Sequence, residues 1–337
     1  MRLRNKSLGI AALALATSLI GLNASAAETC ATGPVTVGFI SKLDTDPYFE
    51  VSKQGAEEAQ AEIGGKVLQQ SPGQQTAEAQ IAFINSFVSQ KVDVIAISSN
   101  DLNALAPALK RAAHQGIKVV TYDSDVVAPA RGVFFNQAKS DSVAEMLLQS
   151  MGDLTDHEGE FAVLQGTPTN ANQNSWVDFM KAQLKDNPKF SKMKLVQVVY
   201  GQGSEQIAQQ QILALTQNYP NLKGISVPDG IGMPAAARAL EQAGLLGKIK
   251  LTGLAPASLL KKYIQGGAVQ DVWWNVKDLG YLTYYGAQAY AQCKITGKTG
   301  ETFKAGRLGD YTIGEAGEVV LGPAQIVTSA NLDVFKF

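Results

Sequence analysis

Several short stretches of this chain concentrate carboxylates, amides and aromatic rings. They are Ser41-Lys42-Leu43-Asp44-Thr45-Asp46-Pro47-Tyr48-Phe49, Asp123-Ser124-Asp125, Thr169-Asn170-Ala171-Asn172-Gln173-Asn174 with Trp176 just beyond, Pro228-Asp229-Gly230 and Trp274-Asn275. Carboxylates and amides exchange hydrogen bonds with hydroxyls, and flat rings cover C–H faces, so gathered in one place these groups suit a polyhydroxyl ligand. Each piece also has a plain structural use. Asp46 can cap a helix that Pro47 begins, Asp123 can cap a turn, and the Asn/Gln run can be an exposed helix start. Trp176 and Trp274 can equally fill a core.

Bond-breaking chemistry has thinner support. His114 falls in the last turn of a helix that ends at Gly116, where it favours the helix dipole, and His157 sits in the charged loop Asp156-His157-Glu158. Neither neighbours a nucleophile in a recognisable motif, and neither a G-x-S-x-G elbow nor zinc-ligand spacing occurs. Gly230-Ile231-Gly232-Met233-Pro234-Ala235 has the form of a dinucleotide loop, although Pro234 is readily explained as an early helix residue. A carboxylate pair brought together only in space stays open, so an exported α/β enzyme acting on a carbohydrate is the rival reading. Neither a metal nor a cofactor is expected.

The elements that must position these residues repeat one unit: a β-branched run, a turn, then a stretch with helical period. Strands are expected at 35–40, 66–70, 92–97 and 117–122, with helices at 48–63, 76–90 and 102–115 between them. The pattern restarts with strands at 161–164, 194–199, 224–227, 248–252 and 269–274. This alternation implies α/β architecture: two doubly wound parallel sheets, each forming a lobe. Residues 125–137, with Pro129, Gly132 and the run 133–135, supply a first crossover. In open α/β sheets ligands collect beyond the carboxyl ends of the strands, and the polar stretches above all lie there, with Ala255-Pro256-Ala257 at a further strand end.

Residues 1–26 read as a signal peptide: Arg2, Arg4 and Lys6, an apolar run over 8–22, then Ala24-Ser25-Ala26. The apolar run is shorter than the ~20 residues of a spanning helix. Cys30 lacks the preceding apolar and small residues of a lipoprotein processing site. Removing that segment leaves 26 of the 29 cations against 30 acids, a net charge near −4, which offers no surface for nucleic acid. The remaining chain exceeds one ordinary core, so two domains are expected. Cys30 and Cys293 are the only cysteines, and in an oxidising compartment they can pair or stay as two separate thiols.

From Val37-Gly38-Phe39 to Asn331-Leu332-Asp333-Val334-Phe335-Lys336-Phe337 the chain resembles the ribose-type (type I) periplasmic binding proteins of ABC importers, in their rhamnose-binding and autoinducer-2-binding branch. The residues that carry the likeness are Asp46-Pro47-Tyr48-Phe49, Asp123-Ser124-Asp125, Asn172-Gln173-Asn174-Ser175-Trp176 and Gly306-Arg307-Leu308-Gly309-Asp310-Tyr311-Thr312-Ile313-Gly314. The resemblance implies a non-catalytic periplasmic receptor that closes on a small sugar. It implies a three-strand hinge with crossings near Asn136, Asn275 and Arg307. The lobes would then be 34–135 plus 276–306 and 136–275 plus 307–337.

The implied ligand set is Lys42, Asp46, Tyr48, Phe49, Asp123, Asn172, Gln173, Pro228, Gly230 and Trp274. Asn172 and Gly230 stand where autoinducer-2 binders have aspartate and alanine, which favours a neutral sugar such as a rhamnose-like deoxyhexose and leaves autoinducer-2 as the alternative. Ser124 replaces an arginine of the ribose binders, and an aspartate expected near Ala255 is absent, which disfavours ribose. Return of a helix over 279–295 to the first lobe would bring Cys293 to the lobe of Cys30. Implied partners are an inner-membrane permease and its ATPase, with a chemoreceptor compatible and the protein itself a monomer. The repressors that share two lobes carry a basic helix-turn-helix before the first strand, and this chain has none there.

Overall fold

Local signals in the sequence start and stop several elements of the computed structural model, which describes residues 30–334. The signal peptide expected at 1–26 lies outside the described residues. Strand β1 (Thr36–Ile40) is followed by α1 (Pro47–Ile63), whose first turn is held by the Asp46 carboxylate accepting the Tyr48 N–H at 3.0 Å. Gly64, at φ 76°, ends that helix in a backbone shape that glycine adopts freely. Then come β2 (Lys66–Gln70), α2 (Ala77–Gln90) capped by Thr76, β3 (Val94–Ile97), α3 (Ala106–His114), β4 (Lys118–Tyr122) and β5 (Val133–Asn136). All four residues of β3 are buried, as a strand covered by helices on both faces requires.

The second series is α4 (Ser140–Thr155), β6 (Gly159–Gln165), α5 (Ala171–Asp186), β7 (Met193–Tyr200), α6 (Glu205–Asn218), β8 (Leu222–Val227), α7 (Gly232–Gln242), β9 (Lys250–Gly253), α8 (Ala257–Gln265) and β10 (Val269–Trp273). The tail adds α9 (Val276–Ala291), β11 (Thr302–Lys304), β12 (Asp310–Thr312), β13 (Glu318–Val320) and β14 (Gln325–Val327). The first sheet has the order β2-β1-β3-β4-β5-β13 and the second β7-β6-β8-β9-β10-β14. The two sheets therefore follow one doubly wound plan, parallel throughout except where β14 joins β10 antiparallel.

The chain passes from the first sheet to the second between β5 and α4, and returns between β10 and α9. Its third crossing does not lie near Arg307. Strand β13 pairs in parallel with β5 of the first sheet, and only β14 enters the second, so the crossing falls between Val320 and Gln325. The physical reason is a hairpin. Gly306 (φ 45°) and Gly309 (φ 86°) fold the Gly306-Arg307-Leu308-Gly309 run into the turn between β11 and β12, which pair antiparallel. Arg307 is held in the first lobe, its Nε 2.7 Å from Glu58 and its guanidinium over the Tyr281 ring.

Helix α9 packs on α1 through two glycines. A Cβ at Gly55 would strike the Lys277 carbonyl oxygen, and one at Gly280 the Ser52 carbonyl oxygen. The backbones therefore meet where no side chain intervenes. Cys30 and Cys293 are joined in a disulfide that closes 263 residues and fastens the start of the first lobe to the end of α9. Among the described residues no helix is long and apolar enough to cross a membrane.

Candidate functional site

The carboxyl ends of both sheets face a single cavity, and its walls come from both halves of the molecule. From the first come Lys42, Asp46, Tyr48, Phe49, Gln75 and Asp123; from the second come Asn170, Asn172, Gln173, Trp176, Pro228, Asp229, Gly230, Leu254, Ala255, Pro256, Trp273 and Trp274. All ten residues named from the sequence lie on these walls. The two readings of Asp46 turn out to be compatible, since one oxygen caps α1 while the carboxyl group lines the cavity. The Asn/Gln run is not an exposed helix start: Gln173 is 5 % exposed, and its Oε1 accepts the Gly166 N–H at 2.7 Å.

Lys42 organises the polar side. Its ammonium sits 3.0 Å from Asp123 Oδ2 and donates to Asn172 Oδ1 at 3.2 Å and Asn170 Oδ1 at 3.4 Å, so one side chain of the first lobe engages α5 and its cap in the second. Asp123 also accepts the Ser98 hydroxyl at 2.6 Å. Its backbone adopts φ 59°, which turns the chain sharply at the end of β4. The Tyr48 hydroxyl accepts the Trp274 indole N–H at 3.1 Å, and Thr169 donates to the Asn100 carbonyl at 2.9 Å. These contacts join residues from opposite sheets, so the lobes stand closed on each other.

Three carboxyl groups but one lysine line the cavity. Burial, reinforced by the neighbouring Asp229, raises the Asp46 carboxyl to about 7. Burial likewise raises Asp229, against the opposing pull of the Gly232 N–H and of Gln173. Burial next to Asp123 pushes the Tyr48 phenol well above its ordinary range, so it stays neutral. The apolar side is aromatic: Trp274 stacks nearly parallel on Trp273 (10°) and meets Trp176 and Tyr48 edge-on. Trp176 and Trp274 are core residues and cavity walls at once.

Some lining residues were not singled out from the sequence as site residues. Asn170, Asp229, Ala255 and Pro256 sit in the loops after strands, which is the signal that could have promoted them, while Trp176 lies on α5 behind such a loop. Gln75 follows β2, whose end carried no recognisable cluster. Trp273 is the last residue of β10, where the strand's alternation breaks and successive indoles share one wall. The dinucleotide-loop reading of Gly230 to Ala235 fails on geometry. The Asp229 carboxylate already accepts the Gly232 N–H at 2.6 Å, filling the helix start that a phosphate would need. His157 packs against Phe190 beside Asp153, and His114 ends α3; neither is among the cavity's residues.

Comparison with known proteins agrees with this geometry. Residues 37–298 match the periplasmic binding protein domain family. A solved ABC transporter solute-binding protein from Clostridium phytofermentas, with L-rhamnose bound, is 36 % identical over 90 % of this chain and 98 % of its own, with a TM-score of 0.86. A sugar ABC transporter protein from Actinomyces odontolyticus is 35 % identical over the same shares, with a TM-score of 0.72. The D-xylose-binding periplasmic protein of Haemophilus influenzae is 25 % identical over 64 % of this chain and 65 % of its own length. The chain therefore belongs to the periplasmic binding protein domain family, and its relatives are sugar-binding transport components, not enzymes.

Proposed function

We propose that this protein captures a rhamnose-like deoxyhexose between its lobes and hands it to an inner-membrane ABC permease driven by a partner ATPase. The observation that carries the reading is the meeting, in one cavity, of a carboxylate, amide and lysine wall with an aromatic wall, each lobe supplying part of both. A deoxyhexose has hydroxyls for the first and a methyl group and C–H faces for the second. A sugar between the lobes hydrogen-bonds to both only in the closed state, so it stabilises closure by differential affinity. That closed shape is what the permease would recognise.

The relative with L-rhamnose bound supports this ligand over ribose or xylose. The protein acts as a periplasmic monomer after loss of residues 1–26, and contact with a chemoreceptor is compatible with the same closed shape. One lobe comprises residues 34–135 with 276–321, and the other residues 136–275 with 322–334.

Titration calorimetry of the mature protein against L-rhamnose, D-ribose, D-xylose and autoinducer-2 tests the assignment. Saturable binding of L-rhamnose, weakened in both Asp123→Ala and Gln173→Ala, is expected. Tighter binding of autoinducer-2 than of any sugar would move the protein to the other branch, and chemical conversion of a bound sugar would restore the enzyme reading.

A further inference from the structure

The cavity holds more acid than its one lysine answers. Lys42 lies 3.0 Å from Asp123, while Asp46 and Asp229 approach from opposite lobes. Gly230 makes that approach feasible: a Cβ there would sit 2.8 Å from Asp46 Oδ1 and 3.5 Å from its Cγ. Asp229, one residue before, has Oδ1 engaged by the Gly232 N–H, and its Oδ2 lies 2.8 Å from where a Cβ of Gly166 would be. Gly230 thus lets the half-buried Asp46 carboxyl come up to the backbone next to Asp229, and Gly166 leaves room for the buried Asp229 carboxyl.

We propose that closure of the lobes on the sugar takes up one proton from solution, held by the Asp46–Asp229 pair across the bare backbone of Gly230. The inference rests on the sugar-capture reading and adds to it a linkage between cargo and pH. The groups facing Asp46 are Asp229 from the second lobe, Asp123 from the end of β4, Lys42 from the loop after β1, and the Tyr48 N–H of its own helix. Of these only Lys42 is cationic, and it is engaged with Asp123.

In an open cleft both carboxyls are in water and ionised at neutral pH. Closing strips much of that water, and two carboxylates brought into one cavity, Asp229 buried and Asp46 half-buried, cannot both keep their charge at low cost. The proton adds to a carboxylate oxygen to form one O–H bond, and the buffer supplies it. The closed form has the higher proton affinity, with Asp46 raised from 3.8 to about 7, so closure is favoured as pH falls through that window.

The expected result is an L-rhamnose affinity about tenfold tighter at pH 6 than at pH 8, levelling above pH 8. Calorimetry at pH 7 in buffers of different ionisation enthalpy should read uptake of about half a proton, approaching one at pH 5.5. Asp46→Asn keeps a residue able to cap α1 and should abolish both effects. Gly230→Ala, which pushes Asp46 away from Asp229, should diminish them. A wild-type affinity that is flat from pH 6 to 8 with heats independent of buffer overturns the proposal, as does undiminished proton uptake in Asp46→Asn.

Small-angle scattering of the ligand-free protein reads the same proton without any sugar. The radius of gyration should be smaller at pH 5.5 than at pH 8 in the wild type and insensitive to pH in Asp46→Asn. Failure of L-rhamnose to bind would therefore sink the ligand assignment, while the scattering comparison decides the proton.

Discussion

Thr169 offers a way to separate closure from ligand contact. Its hydroxyl donates to the Asn100 carbonyl at 2.9 Å, joining the second lobe to the first at the cleft mouth, yet Thr169 does not line the ligand cavity. Thr169→Val keeps the shape and removes the donor. The lost bond is only part-buried and neutral, so its worth lies at ~0.5–1.5 kcal/mol. At pH 8, where the ligand-free protein stands open, the whole penalty falls on the bound state, which corresponds to a roughly 2- to 13-fold weaker sugar affinity. Stopped-flow measurements should place the change in the dissociation rate, because the contact forms only after encounter. Thr169→Ser, which retains the hydroxyl, should restore most of the affinity. An affinity for Thr169→Val indistinguishable from wild type, or a change confined to the association rate, would refute the idea that this bond holds the closed state.

Lys42→Met leaves Asp123 buried without its cation, and breaking a buried pair costs ~3–5 kcal/mol; calorimetry should show sugar affinity reduced by two orders of magnitude or more, partly recovered on adding Asp123→Asn. Reducing the Cys30–Cys293 bond, or replacing both cysteines by serine, frees a 263-residue closure worth ~3–5 kcal/mol and should lower first-lobe melting by on the order of 10 °C; an unchanged scan under reductant would contradict this. Gly280→Ala forces a methyl onto the Ser52 carbonyl between α1 and α9, and at ~1–3 kcal/mol or more it should shift the urea midpoint downward, with Gly55→Ala behaving alike.

The parts of the molecule legible in the sequence share a cause. Strands such as β3 are apolar runs bounded by turns, and helices such as α1 announce themselves by an Asp-Pro start, so the alternation that sets both sheets is a local property. The sheets in turn determine where strand ends lie, which is why Lys42, Asp123, Gln173 and Trp274 could be named before any contact was known. What escaped is non-local. Strands β13 and β14 are three residues each, too short for a period to register, and their sheets are chosen by pairing with β5 and β10. The resemblance implied a crossing near Arg307, and the contact that holds Arg307 in the first lobe, with Glu58, spans 249 residues of sequence. The choice between a disulfide and two thiols also rested on a separation in space that spacing along the chain does not carry.

The last strands carry a kinetic consequence. β13 covers the edge of the first sheet and β14 the edge of the second, and both come after β1 to β12 in the sequence. Helix α9, which covers α1, also comes late in the sequence. A nascent chain therefore lacks pieces of both lobes until β13 and β14 have emerged, and neither lobe can finish folding before then. Such long-range pairings slow folding, because loop closure is spent before the contacts reward it. These two strands work as a checkpoint on both lobes together: a chain cut short before β13 leaves the edges of β5 and β10 unpaired at once, an incomplete product exposed to aggregation and degradation.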